Sequence, residues 1–100
     1  MDDSRLFIEV LASLPPLGKN TTEGAYPAEM AVQFLGSDAM DSRKRVLRAL
    51  NGVRKQFGLI VLRNGKKRTE WGGRLTMSYC LPAVAMNGVS KWLKKQGFTM

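Results

Sequence analysis

Histidine is absent from the 100-residue sequence and cysteine occurs once, at Cys80. The side chain that titrates near neutral pH and most often binds metals is therefore missing. One thiol can build neither an intramolecular disulfide nor a cysteine metal site. Cys80 lies in an apolar stretch and reads as a small buried residue. The few carboxylates concentrate in the first forty residues, so no nucleophile–base pair and no metal cluster emerges. Asn64-Gly65-Lys66 lacks the glycine spacing of a phosphate loop. No enzymatic chemistry and no cofactor are expected. Nor does any apolar run approach the ~20 residues that span a bilayer. The acidic start, Met1-Asp2-Asp3, is unlike the basic leader of a signal peptide, so an intracellular chain without a membrane partner is expected.

Acidic residues are also scarce where basic ones are dense. Residues 1–40 hold two Lys or Arg against six Asp or Glu, a net of −4, whereas residues 41–100 hold fourteen against two, a net of +12. A charge serving only solubility would mix its signs along the chain. A surplus of +8 gathered in one part points to a polyanionic partner.

The length and the 44% hydrophobic content suit one domain over residues 1–100. Asp2 or Asp3 can cap a helix over residues 4–14, whose apolar positions Leu6, Phe7, Val10, Leu11 and Leu14 share one face and which Pro15-Pro16 ends. Residues 17–26 have turn formers and no hydrophobic period, which predicts an exposed, mobile connection. Pro27 opens a helix of about nine residues that Gly36 stops. Asp41 or Ser42 can cap a longer helix over residues 42–57, with Gly58 as its stop.

The β-branched, apolar run at 59–62 predicts a strand that enters a turn at Asn64-Gly65. Gly72-Gly73 interrupts the return, so a long basic loop closed mainly by residues 74–79 is expected. Pro82 starts a last amphipathic helix within residues 81–97, used for packing or for dimerisation. Its apolar side carries Ala85, Met86, Val89, Trp92 and Leu93. Met86, Val89, Trp92 and Leu93 form the candidate homodimer interface. The fold class is thus α+β and mostly helical, with three helices, a β-hairpin and an extra C-terminal helix.

The third helix carries the functional argument. Val46, Leu50, Val53 and Phe57 fall on one side, Leu47 widens that stripe, and these residues are expected to face the core. Opposite lie Lys44, Arg45, Arg48, Asn51 and Lys55, with Arg43 and Arg54 at the flanks and Gly52 leaving room for close approach. Arg reads guanine O6 and N7 in the major groove, Asn reads adenine N6 and N7, and Lys neutralises phosphate. No acid between Ser42 and Phe57 supplies the i,i+4 pairs that would make this face self-sufficient. The hairpin adds Arg63, Lys66, Lys67, Arg68 and Arg74 against Glu70 alone. Trp71 could stack on a base, although a Trp beside a strand is more often core.

A basic helix followed at once by a basic hairpin is the two-point grip of a winged helix. The segments AEMAVQFLG at 28–36, SRKRVLRAL at 42–50 and FGLI at 57–60 resemble winged helix-turn-helix regulators, most closely the amino-terminal DNA-binding domains of WYL-type bacterial transcription factors. The resemblance covers residues 4–79. It implies a recognition helix at 42–57 and a wing at 59–79. Two departures are the long connection at 17–26 and the lack of a counterpart to the family's carboxy-terminal effector domain, so no sensing function is carried over. The expectation is a sequence-specific, double-stranded DNA-binding transcriptional regulator in the cytoplasm, associated with the nucleoid and of phage or mobile-element type in size. Two alternatives stay open: a small interaction module or phage-encoded inhibitor that grips an acidic protein surface, and a binder of structured RNA.

Overall fold

The computed structural model describes residues 1–64 and 76–98. Among these described residues, four helices and a two-stranded antiparallel hairpin make an α+β fold: α1 (Asp3–Ser13), α2 (Pro27–Leu35), α3 (Met40–Phe57), β1 (Ile60–Asn64), β2 (Thr76–Cys80), a 3₁₀ turn (Ala83–Ala85) and α4 (Met86–Lys95).

Asp2 caps α1 as expected, its Oδ1 accepting from the Arg5 N–H at 2.8 Å. Leu6, Val10 and Leu11 turn inward. Pro27 occupies the first turn of α2, and Gly36 closes that helix at φ 74°, a conformation that costs glycine nothing and other residues about 1–2 kcal/mol. Four residues, 36–39, then separate α2 from α3. The third helix begins earlier than expected. Its N-cap is Ala39, which offers no side-chain cap, while Asp41 places negative charge in the first turn, where the helix dipole favours it.

The connection from α1 to α2 departs most from expectation. Its middle is exposed as expected, at residues 18–20, 22 and 23, but both of its ends are hydrogen-bonded to β2 and to Leu81 just after it. Leu17 N–H donates to Leu81 O and Leu81 N–H to Pro15 O, both at 2.8 Å. Ala25 and Tyr79 exchange both backbone bonds, also at 2.8 Å. The buried Ser78 hydroxyl accepts from Gly24 N–H at 2.9 Å, and Tyr26 beyond it is fully buried. The other edge of β2 pairs with β1 in the register Ile60↔Cys80, Val61↔Tyr79, Leu62↔Ser78, Arg63↔Met77 and Asn64↔Thr76. This strand is therefore flanked on both sides. The register also excludes a two-residue turn at Asn64-Gly65, since Arg63 faces Met77 and residues 65–75 must connect the strands.

The core is shared by α1, α2, α3, the end of β2 and α4, through Leu6, Val10, Leu11, Met30, Ala31, Val46, Leu50, Val53, Leu81, Val89 and Leu93. Each fully buried Leu or Val stabilises the fold by about 1.5–3 kcal/mol relative to exposure. Trp92 meets Phe7 and Phe57 edge-to-face, at centroid distances of 5.4 and 5.9 Å. Two expectations change here. Leu47 does not join the core stripe but stands 41% exposed, and Ala49, turned toward α1, is buried instead. Val89 and Leu93, expected at a dimer surface, are 2% and 1% exposed inside one chain, and Met86 and Trp92 pack against the same core. In this packing the apolar side of α4 serves the monomer.

Candidate nucleic-acid interface

An 18-residue helix has more circumference than one neighbour can cover, so the surroundings of α3 decide which cations remain available. Its Val46, Leu50 and Val53 side is sealed in the core. A second side carries Ala49 and Gly52 against α1. A Cβ added at Gly52 would lie 3.0 Å from Phe7 Cε2, so this glycine makes room for α1 and not, as expected from the sequence, for a ligand. What remains is a solvent face about 120° wide holding Met40, Lys44, Leu47, Arg48, Asn51, Arg54 and Lys55, all exposed.

Within it, Lys44, Arg48, Asn51 and Lys55 recur at intervals of four, three and four. At 100° per residue they form a straight stripe about 60° wide and ~16 Å long. None of the four makes a hydrogen bond or ion pair among the described residues. Three cations with no ion pair among the described residues therefore lie along one line, with one amide able to donate and accept among them.

Of the three other arginines expected here, Arg54 is exposed on the same face, while Arg43 and Arg45 are already engaged. Arg43 turns back over the start of the helix, where its Nε donates to Asp38 O at 2.7 Å and its Nη2 lies 3.5 Å from Asp38 Oδ2. Arg45 reaches the start of α1, its Nη2 and Nε donating to Asp3 Oδ1 at 3.1 and 3.2 Å and its Nη2 also to Met1 O. Both pairs are solvent-exposed, of the kind whose net worth is about 0–1 kcal/mol. They redirect the side chains without locking them.

At the hairpin, Arg63 is exposed on β1 beside the exposed Met77 of β2. Lys66, Lys67, Arg68 and Arg74, with Trp71, lie outside the described residues. The strand ends at 64 and 76 nevertheless show where the segment carrying them leaves the sheet and rejoins it. Only Gly58 and Leu59 separate α3 from β1. Gly58 has φ 90° and a notional Cβ 3.2 Å from Pro82 Cγ, so the chain turns sharply from the basic helix into the hairpin.

Chemistry of other kinds finds little to work with. Cys80 is fully buried, burial pushes its thiol up from the ordinary value, and its Sγ contacts Ile60 O at 3.9 Å. A raised thiol yields little thiolate near neutral pH and so makes a poor nucleophile. A cavity of about 430 Å³ between α1, α4 and the end of α3 is lined by Phe7, Ile8, Trp92, Ser4, Gln56, Gln96 and the single carboxylate of Asp3. Among the described residues no three His, Cys, Asp or Glu side chains gather as a metal site, and no helix is long and apolar enough to cross a membrane.

Sequence reasoning missed Leu47 as a member of the exposed face. Its spacing from Lys44 and Asn51, three and four residues, was the available signal, since such neighbours share a helix surface. Comparison of the chain with family models, curated proteins and solved structures finds no match.

Proposed function

We propose that this chain is a winged helix-turn-helix protein that binds double-stranded DNA sequence-specifically as a transcriptional regulator in the cytoplasm, on the nucleoid, without catalysis or cofactor. In this reading α3 enters the major groove and the basic hairpin segment at 59–79 follows the backbone or the adjacent minor groove. The observation that carries it is the stripe of Lys44, Arg48, Asn51 and Lys55, aligned on a solvent face and unpaired among the described residues. Its composition suits a duplex: Lys44 and Lys55 for phosphates, Arg48 for guanine, Asn51 for adenine. Supporting it are the four-residue turn between α2 and α3 and the immediate passage from α3 into the hairpin. So is the bridging of β2 by the α1–α2 connection, which ties the hairpin to the helical body.

Titration against duplex DNA, structured RNA and an acidic protein over a salt series tests this. Duplex affinity should fall linearly on a log–log plot, with a slope of about −0.9 for each phosphate neutralised. Arg48→Ala should relax sequence preference at a cost of about 1–3 kcal/mol, whereas Lys67→Ala should weaken all duplexes alike. Indifference to every duplex at low salt would remove the reading, and binding to RNA or acidic protein alone would replace it.

A further inference from the structure

We infer that Leu47 is a specificity-determining residue that reads the C5-methyl group of a thymine. The inference rests on the DNA reading of α3 and deepens it by naming a base that the charged residues do not select. A single exposed leucine carries no message by itself, because much of any protein surface is apolar. The message lies in its company.

Leu47 stands between Lys44, three residues before it, Arg48 beside it and Asn51, four residues after it, on the side of α3 that neither the core nor α1 covers. Asn51 lies about 40° around the helix from Leu47 and ~6 Å further along its axis. The leucine methyl groups and the Asn51 amide therefore address the same surface about one turn apart. In the major groove, adenine offers N6 and N7 to an amide, and thymine offers O4 and a methyl group, the one apolar feature on any base edge there. A helix that seats Asn51 on an adenine brings Leu47 to base pairs about two steps away at most, since ~6 Å spans roughly two base steps of ~3.4 Å. The methylene stems of Lys44 and Arg48 end in charges drawn to phosphate or guanine, whereas Leu47 presents methyl groups with no polar end to place. The same placement explains why an apolar side chain sits 41% exposed amid cations when the core is filled without it.

The experiment uses the full chain and the duplex preferred in a selection from random sequence. Each thymine is replaced in turn by deoxyuridine, which keeps base pairing and removes only the methyl group. One or two positions should lose about fourfold in affinity, the equivalent of about 0.8 kcal/mol for one buried methyl-sized group. Leu47→Ala should bind more weakly and lose that position-specific sensitivity, while Leu47→Met should retain it. Alanine on an exposed helix face preserves the fold, which a thermal melt checks. A wild-type protein insensitive to every replacement overturns the inference and leaves the DNA reading standing. So does an unchanged sensitivity in Leu47→Ala, which would assign the methyl contact to another residue. Failure to bind any duplex overturns both.

Discussion

Replacing Gly24 by alanine tests the attachment of the α1–α2 connection to β2, and the sign of the effect carries the information. Where a glycine is unconstrained, alanine stabilises by about 0.4–1 kcal/mol, because it narrows the unfolded ensemble. Gly24 has an ordinary, negative φ, so no backbone preference opposes the change. Its surroundings do: an added Cβ would lie 2.3 Å from Tyr79 O, 2.6 Å from Tyr79 C and 2.9 Å from Tyr79 N, all of them backbone atoms. Ordinary contact needs about 3.4 Å or more, so the two chains must part by about 1 Å. That parting falls where Ala25 and Tyr79 exchange two hydrogen bonds of 2.8 Å and Ser78 accepts one of 2.9 Å from Gly24 itself. Three bonds at about 0.5–1.5 kcal/mol each, with a buried Ser78 hydroxyl left unsatisfied, make the expected loss about 3–5 kcal/mol. Urea unfolding should show a lower midpoint at unchanged slope, and the thermal midpoint should fall by roughly 15 °C or more. Ser78→Ala in the same background should cost much less than its value in the wild type, because its partner has already moved. An alanine variant as stable as the wild type, or more stable, would refute the pinned ends and restore the unattached, mobile connection expected from the sequence.

Two further outcomes follow from the same geometry. Asp3→Asn removes the charge that opposes Arg45 while its bond to Met1 O stays, so duplex affinity should rise and the salt slope should steepen by up to about 0.9; an unchanged slope would mean that Arg45 does not reach the duplex or stays held by Met1 O. Leu93→Ala should lower stability by about 2–5 kcal/mol, independently of protein concentration, because Leu93 is buried within one chain. A loss that deepens on dilution would return the α4 face to a dimer interface.

The helices were legible because their signals are local. Capping by Asp2, Pro27 at the start of α2, glycine stops at Gly36 and Gly58 and the periodic apolar residues of α1, α3 and α4 all act within a few residues. The exposure of the middle of the connection at 17–26 was legible, but its attachments were not, because they are bonds to residues more than fifty positions away, and only Gly24 hints at them. The errors at α3 have a different origin. A helical wheel shows which residues share a side but not how many neighbours the helix has. With α1 lying against Ala49 and Gly52, the covered arc shifts, Leu47 leaves the core and Gly52 ceases to face a ligand. On α4 the wheel identified the apolar face correctly and could not say whether it met its own chain or a second copy.

The positions of the acids bear on what any salt titration can mean. In the sequence the first forty residues look like a counterweight to the basic remainder; among the described residues, Asp3 pairs with Arg45 and Asp38 with Arg43, at the two flanks of α3. If a duplex takes those arginines, it exchanges an exposed carboxylate for a phosphate. The gain is then only the difference between two similar pairs, each worth little in water. Lys44, Arg48 and Lys55 surrender no such partner among the described residues, so each phosphate that they meet counts in full through the counterions it releases. The slope therefore counts unpaired cations, and total charge is a poor guide to it. Asp3→Asn takes the counter-charge from Arg45 without touching α3 and leaves its bond to Met1 O, so the change in slope reads what the carboxylate alone withholds from the basic face.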